Sequence, residues 1–242
     1  MSRVPRLHCP GLERPGVFTL DLDQAARLAT VLRVRPGEPV VLFPGDGTEW
    51  SAAVAAVRGR TVTVEVSGIV ATGRRPRPAV EIWCALVRPS RIEWAIEKCS
   101  EAGVDAFVPL LADNAARGEA PSAARSERWQ RIAVEAAEQS GRLFLPAIHE
   151  PARLEDALRA GAWVAFADAG GDPLPVVLEC ATAPTTVRLL IGPEGGWSDR
   201  ERELAARRGA HPVRLGPHTF RTETAAVVGA ALIRALTGEA VS

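Results

Sequence analysis

Two short stretches carry residue types at spacings that suit a binding site. The first, GPEGG at residues 192–196, follows an aliphatic run and precedes an amphipathic segment, so it reads as a strand-to-helix turn. Gly192, Gly195 and Gly196 let bare backbone approach a ligand, and Pro193 stiffens the turn. The loop lacks both the GxGxxG spacing and the lysine of GxxxxGKS/T, and Glu194 repels anions, so phosphate is disfavoured. What remains is a flat or compact ligand resting on peptide, or a tight turn that binds nothing. The second stretch, HTFRTETAA at 218–226, sets Arg221, Thr222, Glu223 and Thr224 in front of AAVVGAALIRAL, which is apolar on nearly every side. A polar cluster at the start of such a helix would face a crevice. The helix itself must be covered all round, and its Gly229 permits close approach, so one side is expected on a sheet and another on a second copy of the chain, as a homodimer.

The elements that must position these stretches follow a regular grammar from Val80 onward. VEIWCALV reads as a strand and RIEWAIEKCSEAG as a helix with an apolar stripe of Ile92, Ala95, Ile96, Cys99 and Ala102. VDAFVPLL is a buried strand, and SERWQRIAVEAAEQSG is a second helix through Trp129, Ile132, Ala133, Ala136, Ala137 and Ser140, with Gly141 at its end. LEDALRAG is a short helix, and WVAFAD, VRLLIG and PVRLG are strands. This alternation implies a parallel sheet with helices on both faces. Ligands bind such sheets outside the carboxyl ends of the strands, where LLIGPEGG and PVRLGPHTFRTETA both lie. Ser198 and Glu201 form a capping box that starts the helix DRERELAARRG and pins the glycine loop from behind.

Residues 17–70 read differently, as closely spaced strands (VFTL, PVVLFP, WSAAVAAV, TVTVEVSGIV) with turns at Pro36-Gly37, Gly45-Asp46-Gly47 and Arg58-Gly59. One helix, DQAARLATVLR, interrupts them, with Ala26, Leu28, Val31 and Leu32 largely on one side. The pattern implies a small β-barrel. The division is therefore a barrel over residues 1–72, a linker at 73–79 and an α/β domain over 80–242.

The chain's 242 residues, 47% hydrophobic and 24% charged, with a mean hydropathy of +0.03, describe an ordinary globular protein that can bury a sizeable core. There is no apolar run of membrane-spanning length, and the first residues lack a secretory apolar stretch, so the cytoplasm is the expected compartment, with no membrane partner. Cys9, Cys84, Cys99 and Cys180 share no metal-binding spacing, so buried free thiols are expected and no metal. His8, His149, His211 and His218 have no Ser or Cys partner at a useful spacing, which gives a hydrolytic triad no support. Residues 1–78 carry 11 Arg against 7 Asp/Glu, whereas the rest carries 18 Arg/Lys against 22. A basic front module beside an acidic main domain hints at a polyanionic partner.

LLIGPEGGWS with Glu201, LGPHTFRTETA, RIEWAIEKCSEAGV and RIAVEAAEQSGR, in this order after a small β-domain, closely resemble the ribosomal RNA small subunit methyltransferase E family of the SPOUT superfamily. VLRVRPGEPVVLFPGDG is similar to that family's PUA-like front module. The resemblance covers nearly the whole chain. It implies a SPOUT-type parallel sheet with a C-terminal trefoil knot, a dimer-interface active site, and S-adenosyl-L-methionine (SAM) as methyl donor to N3 of one uridine in 16S rRNA of the small ribosomal subunit. By the same resemblance, backbone from Leu190 through Ile191 to Gly192, Gly195 and Gly196, and Leu215 and Gly216, holds the cofactor. Phe220 supplies an apolar wall, and Asp168 to Gly171 is a candidate third loop.

The donor is a cation without phosphates, which suits a loop without lysine. Arg221 is placed to stabilise the uridine anion and to sit against the cofactor. Glu223 could take the N3 proton, orient Arg221, or cap the last helix. Thr222 and Thr224 could bond the cofactor or cap that helix, and Glu194 could bind a cofactor amine or hydroxyl, or satisfy the loop's own amides. Arg33, Arg35, Arg88, Arg91, Lys98, Gln139 and Arg142 are candidates for RNA contact while the base leaves its stack, each alternatively a solvated surface group. Trp50, Trp83 and Trp129 could stack on bases, with core packing as the favoured reading of each. Departures from the family pattern fall at Asn114-Ala115, where an Arg-Ser-like pair is common, and at His218, Thr219 and Phe220. A non-catalytic RNA-binding assembly factor of the same fold is the alternative function, and an α/β enzyme with a nucleotide cofactor is a third.

Overall fold

The computed structural model describes residues 4–115 and 122–238. They form two compact units: the chain up to Arg75 together with Ala137–Leu145, and Pro76–Ala136 together with the chain from Pro146 onward.

In the first unit β1 (Arg6–His8), β2 (Gly16–Thr19), β3 (Pro39–Phe43), β4 (Thr48–Arg58) and β5 (Thr61–Thr72) form one sheet in the order β1-β3-β4-β5-β2. Every pairing is antiparallel except β1 with β3. Period-two burial of Trp50, Ala52 and Val54 on β4, and of Val62, Val64 and Val66 on β5, gives the sheet one apolar face over a core with Leu7, Leu28 and Leu42. Register shifts at three places along β4 and β5 bend these long strands, and the unit is barrel-like.

The expected helix begins as α1 (Leu22–Ala26), capped by the Asp21 carboxylate, but continues as a π-helical turn over Arg27–Leu32 that ends on Arg33 at φ 52°. The wider turn breaks the 3.6-residue stripe. Leu28 is fully buried, whereas Val31 and Leu32 are exposed, contrary to the expected apolar side. Residues 137–145, which the linear division assigned to the α/β domain, belong here. The buried Glu138 carboxylate accepts the His8 N–H at 2.9 Å and pairs with Arg27 at 2.6 Å. Arg6 donates to the carbonyls of Ala137 and Arg142.

The second unit is a parallel sheet built from β6 (Ala79–Ala85), β7 (Ala106–Leu111), β8 (Ala147–Ile148), β9 (Ala152–Arg153), β10 (Trp163–Pro173), β11 (Thr186–Ile191) and β12 (His211–Arg214). The order is β12-β10-β11-β6-β7-β8, with β9 also on β7. Alternate residues feed two cores. Val80, Ile82 and Cys84 of β6 and Val187, Leu189 and Ile191 of β11 pack with α2 (Pro89–Glu101), α3 (Ala123–Ser140), α5 (Leu174–Glu179) and α7 (Thr222–Thr237). Trp83, Val108, Phe166 and Leu190 pack on the other side with α4 (Leu154–Ala157) and α6 (Asp199–Arg207).

The α2 stripe is buried as expected at Ile92, Ala95, Ile96 and Cys99, and in α3 Ser140 is exposed where its spacing placed it inward. Trp50, Trp83 and Trp129 are all buried. Four elements carried too weak a pattern to be read: β1, three residues long, β8 and β9, two residues each, and α5, which starts at a proline corner. Among the described residues no helix is long and apolar enough to cross a membrane, and no His/Cys/Asp/Glu group could hold a metal ion. Cys84 and Cys99 are buried thiols, but Cys180 is exposed.

The Ser198–Glu201 capping box is present in both directions. Two residues on from the cap, Arg200 bridges Asp113 at 2.8 Å and Glu155 at 3.0 Å. Arg200, then Ser198, holds the Asp113 carboxyl below its ordinary pKa. Its own backbone N–H, then Arg200, does so for Glu155.

Carboxylates with depressed folded pKa values stabilise the fold above the unfolded value and lose that stabilisation as pH falls through the folded one. The melting temperature should therefore drop on acidification below about pH 4. Arg200→Ala should flatten that limb by at most about 3 °C, since the pairs are exposed; thermal scans from pH 7 to 2 check this. On α7, a Cβ at Gly229 would lie 2.2 Å from Leu189 Cδ2 in the core. Gly229→Val is therefore expected to destabilise by about 1–3 kcal/mol, read as a lowered urea midpoint.

Candidate functional site

Because β10 lies between β11 and β12, the loops leaving all three strands emerge side by side at their carboxyl ends. β11 runs into GPEGG, and β12 runs into Leu215, Gly216 and the arm that leads to α7. β10 supplies the third loop through an irregularity: Ala167 and Asp172 both align with Val213, so residues 168–171 are pushed out of register. Gly171 is required there, since a Cβ would fall 2.4 Å from the Val213 nitrogen.

These three loops enclose a cavity of about 510 Å³, within the usual range for small-molecule sites. The turns are joined directly. Thr222 Oγ1 donates to the Gly192 carbonyl at 3.0 Å. Trp197 Nε1 donates to the Ala167 carbonyl at 2.8 Å, while the ring stacks on Phe166 at 4.4 Å. The Trp197 ring covers Gly192 so closely that a Cβ there would be 2.8 Å from it. Phe220 lies over Gly216 in the same way, at 3.1 Å. Arg202 Nε donates to Asp168 at 3.0 Å. Burial raises the Asp168 carboxyl, but the Gly170 N–H and Arg202 outweigh it, so the pKa lies below the usual value and the group is charged at neutral pH.

Of the residues that the sequence assigned to the cofactor, Ile191, Gly192, Glu194, Gly196, Leu215, Gly216, Phe220 and Arg221 line this cavity. Three others do not. Leu190 points into the opposite core, since neighbours on a strand face opposite sides. Gly195 faces Asn114, and Thr224 is half-buried on the first turn of α7. Arg221 is the exposed N-cap of α7 with no side-chain capping bond. Neither threonine caps the helix, because the Thr222 hydroxyl is committed to Gly192.

Glu223 is buried at 8% exposure and lies outside the cavity lining. One of its carboxylate oxygens is 3.6 Å from Arg91 Nε, and the other is buried without a hydrogen-bond partner. It also adds to the upward push that burial exerts on the Cys84 thiol. Glu194 bonds Arg91, rather than the loop's own amides.

Arg91 therefore ties the start of α2 to both turns. Lys98 is held between Glu97 and Glu101, each at 2.8 Å. Arg88, the N-cap of α2, is exposed, as are Arg33, Arg35 and Gln139 in the first unit. Arg142 is half-buried there, with its carbonyl taken by Arg6. Trp197, Arg202 and Arg214 line the cavity but were not read as site residues. Trp197 directly follows GPEGG, and that adjacency was the available signal. The two arginines carried none, since one lies on a helix and the other ends a strand.

A family model for an RNA methyltransferase domain matches residues 74–234, and one for an RNA methyltransferase PUA domain matches residues 28–67. The ribosomal RNA small subunit methyltransferase E of Synechocystis sp. is 34% identical over 224 residues, covering 90% of this chain and 73% of that protein. Its counterpart in Mycobacterium bovis is 35% identical over 239 residues, covering 91% and 87%. Among solved structures, a Legionella pneumophila protein described as a methyltransferase in complex with bound cofactor SAM superposes with a TM-score of 0.90 at 28% identity, covering 98% and 99% of the two chains. The ribosomal RNA small subunit methyltransferase E of Neisseria gonorrhoeae, bound to S-adenosyl methionine, gives 0.88 at 26%, again over 98% and 99%. With two thirds of its length in the methyltransferase domain and relatives above 30% identity over nine tenths of it, this chain belongs to the ribosomal RNA small subunit methyltransferase E family.

Proposed function

We propose that this chain methylates N3 of one uridine in the 16S rRNA of the small ribosomal subunit. As a member of its family it is a SAM-dependent RNA methyltransferase; the atom modified is the finer reading. The single observation that carries it is the cavity in which three strand-end loops meet, with bare peptide on one side and the exposed Arg221 at its edge.

The residues present fit SAM. Gly192 and Gly216 leave no room for a side chain beneath Trp197 and Phe220, so peptide edges and flat rings line a slot suited to adenine. Asp168, charged at neutral pH, and Glu194 are the carboxylates on the wall, which suits a cation and opposes phosphate. Ile191, Gly192, Gly196, Leu215, Gly216 and Phe220 would hold the group, and when bound it supplies an electrophilic methyl on sulfur.

The chain's own part is to orient the acceptor and to stabilise charge. N3 of uracil must lose a proton, and the resulting charge spreads onto O2 and O4. Arg221 is assigned to that charge: it lines the cavity and is the first residue ahead of the α7 N-terminus, where the helix dipole also favours an anion. The buried Glu223 is assigned to holding Arg91 and the start of α7, not to taking the proton. Exposed Arg33 and Arg35 in the first unit and Arg88 in the second are assigned to phosphates, with the PUA unit engaging RNA. The half-covered face of α7, with Leu236 exposed, is assigned to a homodimer contact, the C-terminal domain is taken to be knotted as the family resemblance implies, and the cytoplasm is the assigned compartment.

Methyl incorporation into 16S rRNA, located by mass spectrometry of nuclease digests, tests the reading. Arg221→Ala is expected to lower kcat by about 10²-fold, the usual loss for one oxyanion donor, and activity equal to wild type would remove Arg221 from the chemistry. Glu223→Gln is expected to stay within about threefold of wild type with an unchanged acid limb in its pH–rate profile; loss of that limb would restore Glu223 as the base.

A further inference from the structure

The glycine turn is held from its cavity side by Thr222, and a second hold comes from the loop that follows β7. Asn114 Nδ2 donates to the Gly196 carbonyl at 3.1 Å and reaches the Gly195 carbonyl at 3.5 Å. The approach is close, since a Cβ on Gly195 would sit 3.2 Å from the Asn114 Cβ. Asp113 fixes the loop before Asn114 acts: its N–H donates to Glu201 Oε1 at 3.0 Å, and its carboxylate accepts from Ser198 Oγ at 2.6 Å and from Arg200 at 2.8 and 3.1 Å. Gly196, at φ +70°, closes the turn by donating its N–H to the Pro193 carbonyl at 2.9 Å.

Gly196, Pro193 and Glu194 line the cavity, while Asn114 and Gly195 do not. Asn114 therefore touches only the outer side of the turn. The orientation of the peptides on either side of Gly196 decides which N–H and C=O groups face the cavity, and a free turn of this composition would sample several orientations. A neutral amide is the right group for this task. An isosteric carboxylate would set negative oxygens against two carbonyl oxygens, whereas an alanine would only remove the donor.

We propose that Asn114 is a positioning residue for cofactor binding: by holding the Gly195 and Gly196 carbonyls it fixes the peptide groups that the turn offers to the cavity. This inference rests on the SAM reading above. It also reassigns a position where an RNA contact would be expected to a role inside the protein.

The test is calorimetry of S-adenosylhomocysteine binding to the full chain, with RNA affinity measured in parallel by filter binding. Asn114→Ala is expected to weaken S-adenosylhomocysteine about tenfold, Asn114→Asp to weaken it further, and Asn114→Ser, which keeps one donor, to fall between wild type and Ala. RNA affinity should stay within twofold in all three. In turnover, the KM for SAM should rise while kcat at saturating SAM stays within about threefold, a split that general damage to the fold would not give. Unchanged S-adenosylhomocysteine affinity in the Asp variant overturns the proposal, as does loss of RNA affinity with cofactor affinity intact. Failure of the wild type itself to bind S-adenosylhomocysteine would instead overturn the functional reading on which the proposal depends.

Discussion

The hydrogen bond from Thr222 to the Gly192 carbonyl is the interaction on which the site depends. It joins a turn that leaves β11 to the helix that follows β12, two segments separated by thirty residues in the chain. A neutral bond of this kind adds only about 1 kcal/mol to stability, so its importance lies in geometry. It can form because the sheet order places β10 between the two strands and brings three carboxyl ends together. The cavity is a consequence of that strand order, and the hydrogen bond keeps its two walls in register.

Small residues and aromatic rings complete the walls in pairs. Trp197 lies on Gly192 and Phe220 on Gly216, while Gly171 allows the displaced segment of β10 to press against the β12 backbone. In each pair the ring or strand occupies the space a side chain would have needed. Tertiary contact therefore limits the freedom that glycine allows these loops. Trp197 carries this furthest, since its indole N–H also bonds the β10 carbonyl at Ala167.

Charge around the site is largely organised inside the protein. Arg91 serves Glu194 and Glu223, Arg202 serves Asp168, and Arg200 serves Asp113 and Glu155. Several cations that could have met RNA phosphates instead set the positions of the loops. Arg33, Arg35 and Arg88 remain exposed.

Local pattern determined much of this protein. The alternation of apolar strands and striped helices after Val80, the Ser198–Glu201 cap and the glycine turn were all legible, because each depends on residues within one turn or one strand of each other. The pairing of the two motifs as one site was also legible, through resemblance and through the rule that sheets bind at their carboxyl ends. Other features were decided only by tertiary structure. The π-helical turn turned Val31 and Leu32 outward against their spacing, and residues 137–145 joined the first unit because the Glu138 carboxylate finds Arg27 and the His8 N–H there. Glu223 faced Arg91 instead of the cavity, and Asn114 met the glycine carbonyls across eighty residues of chain. Which partner a polar group finds depends on strand order and on the contacts that surround it, and neither is encoded within the reach of a local motif.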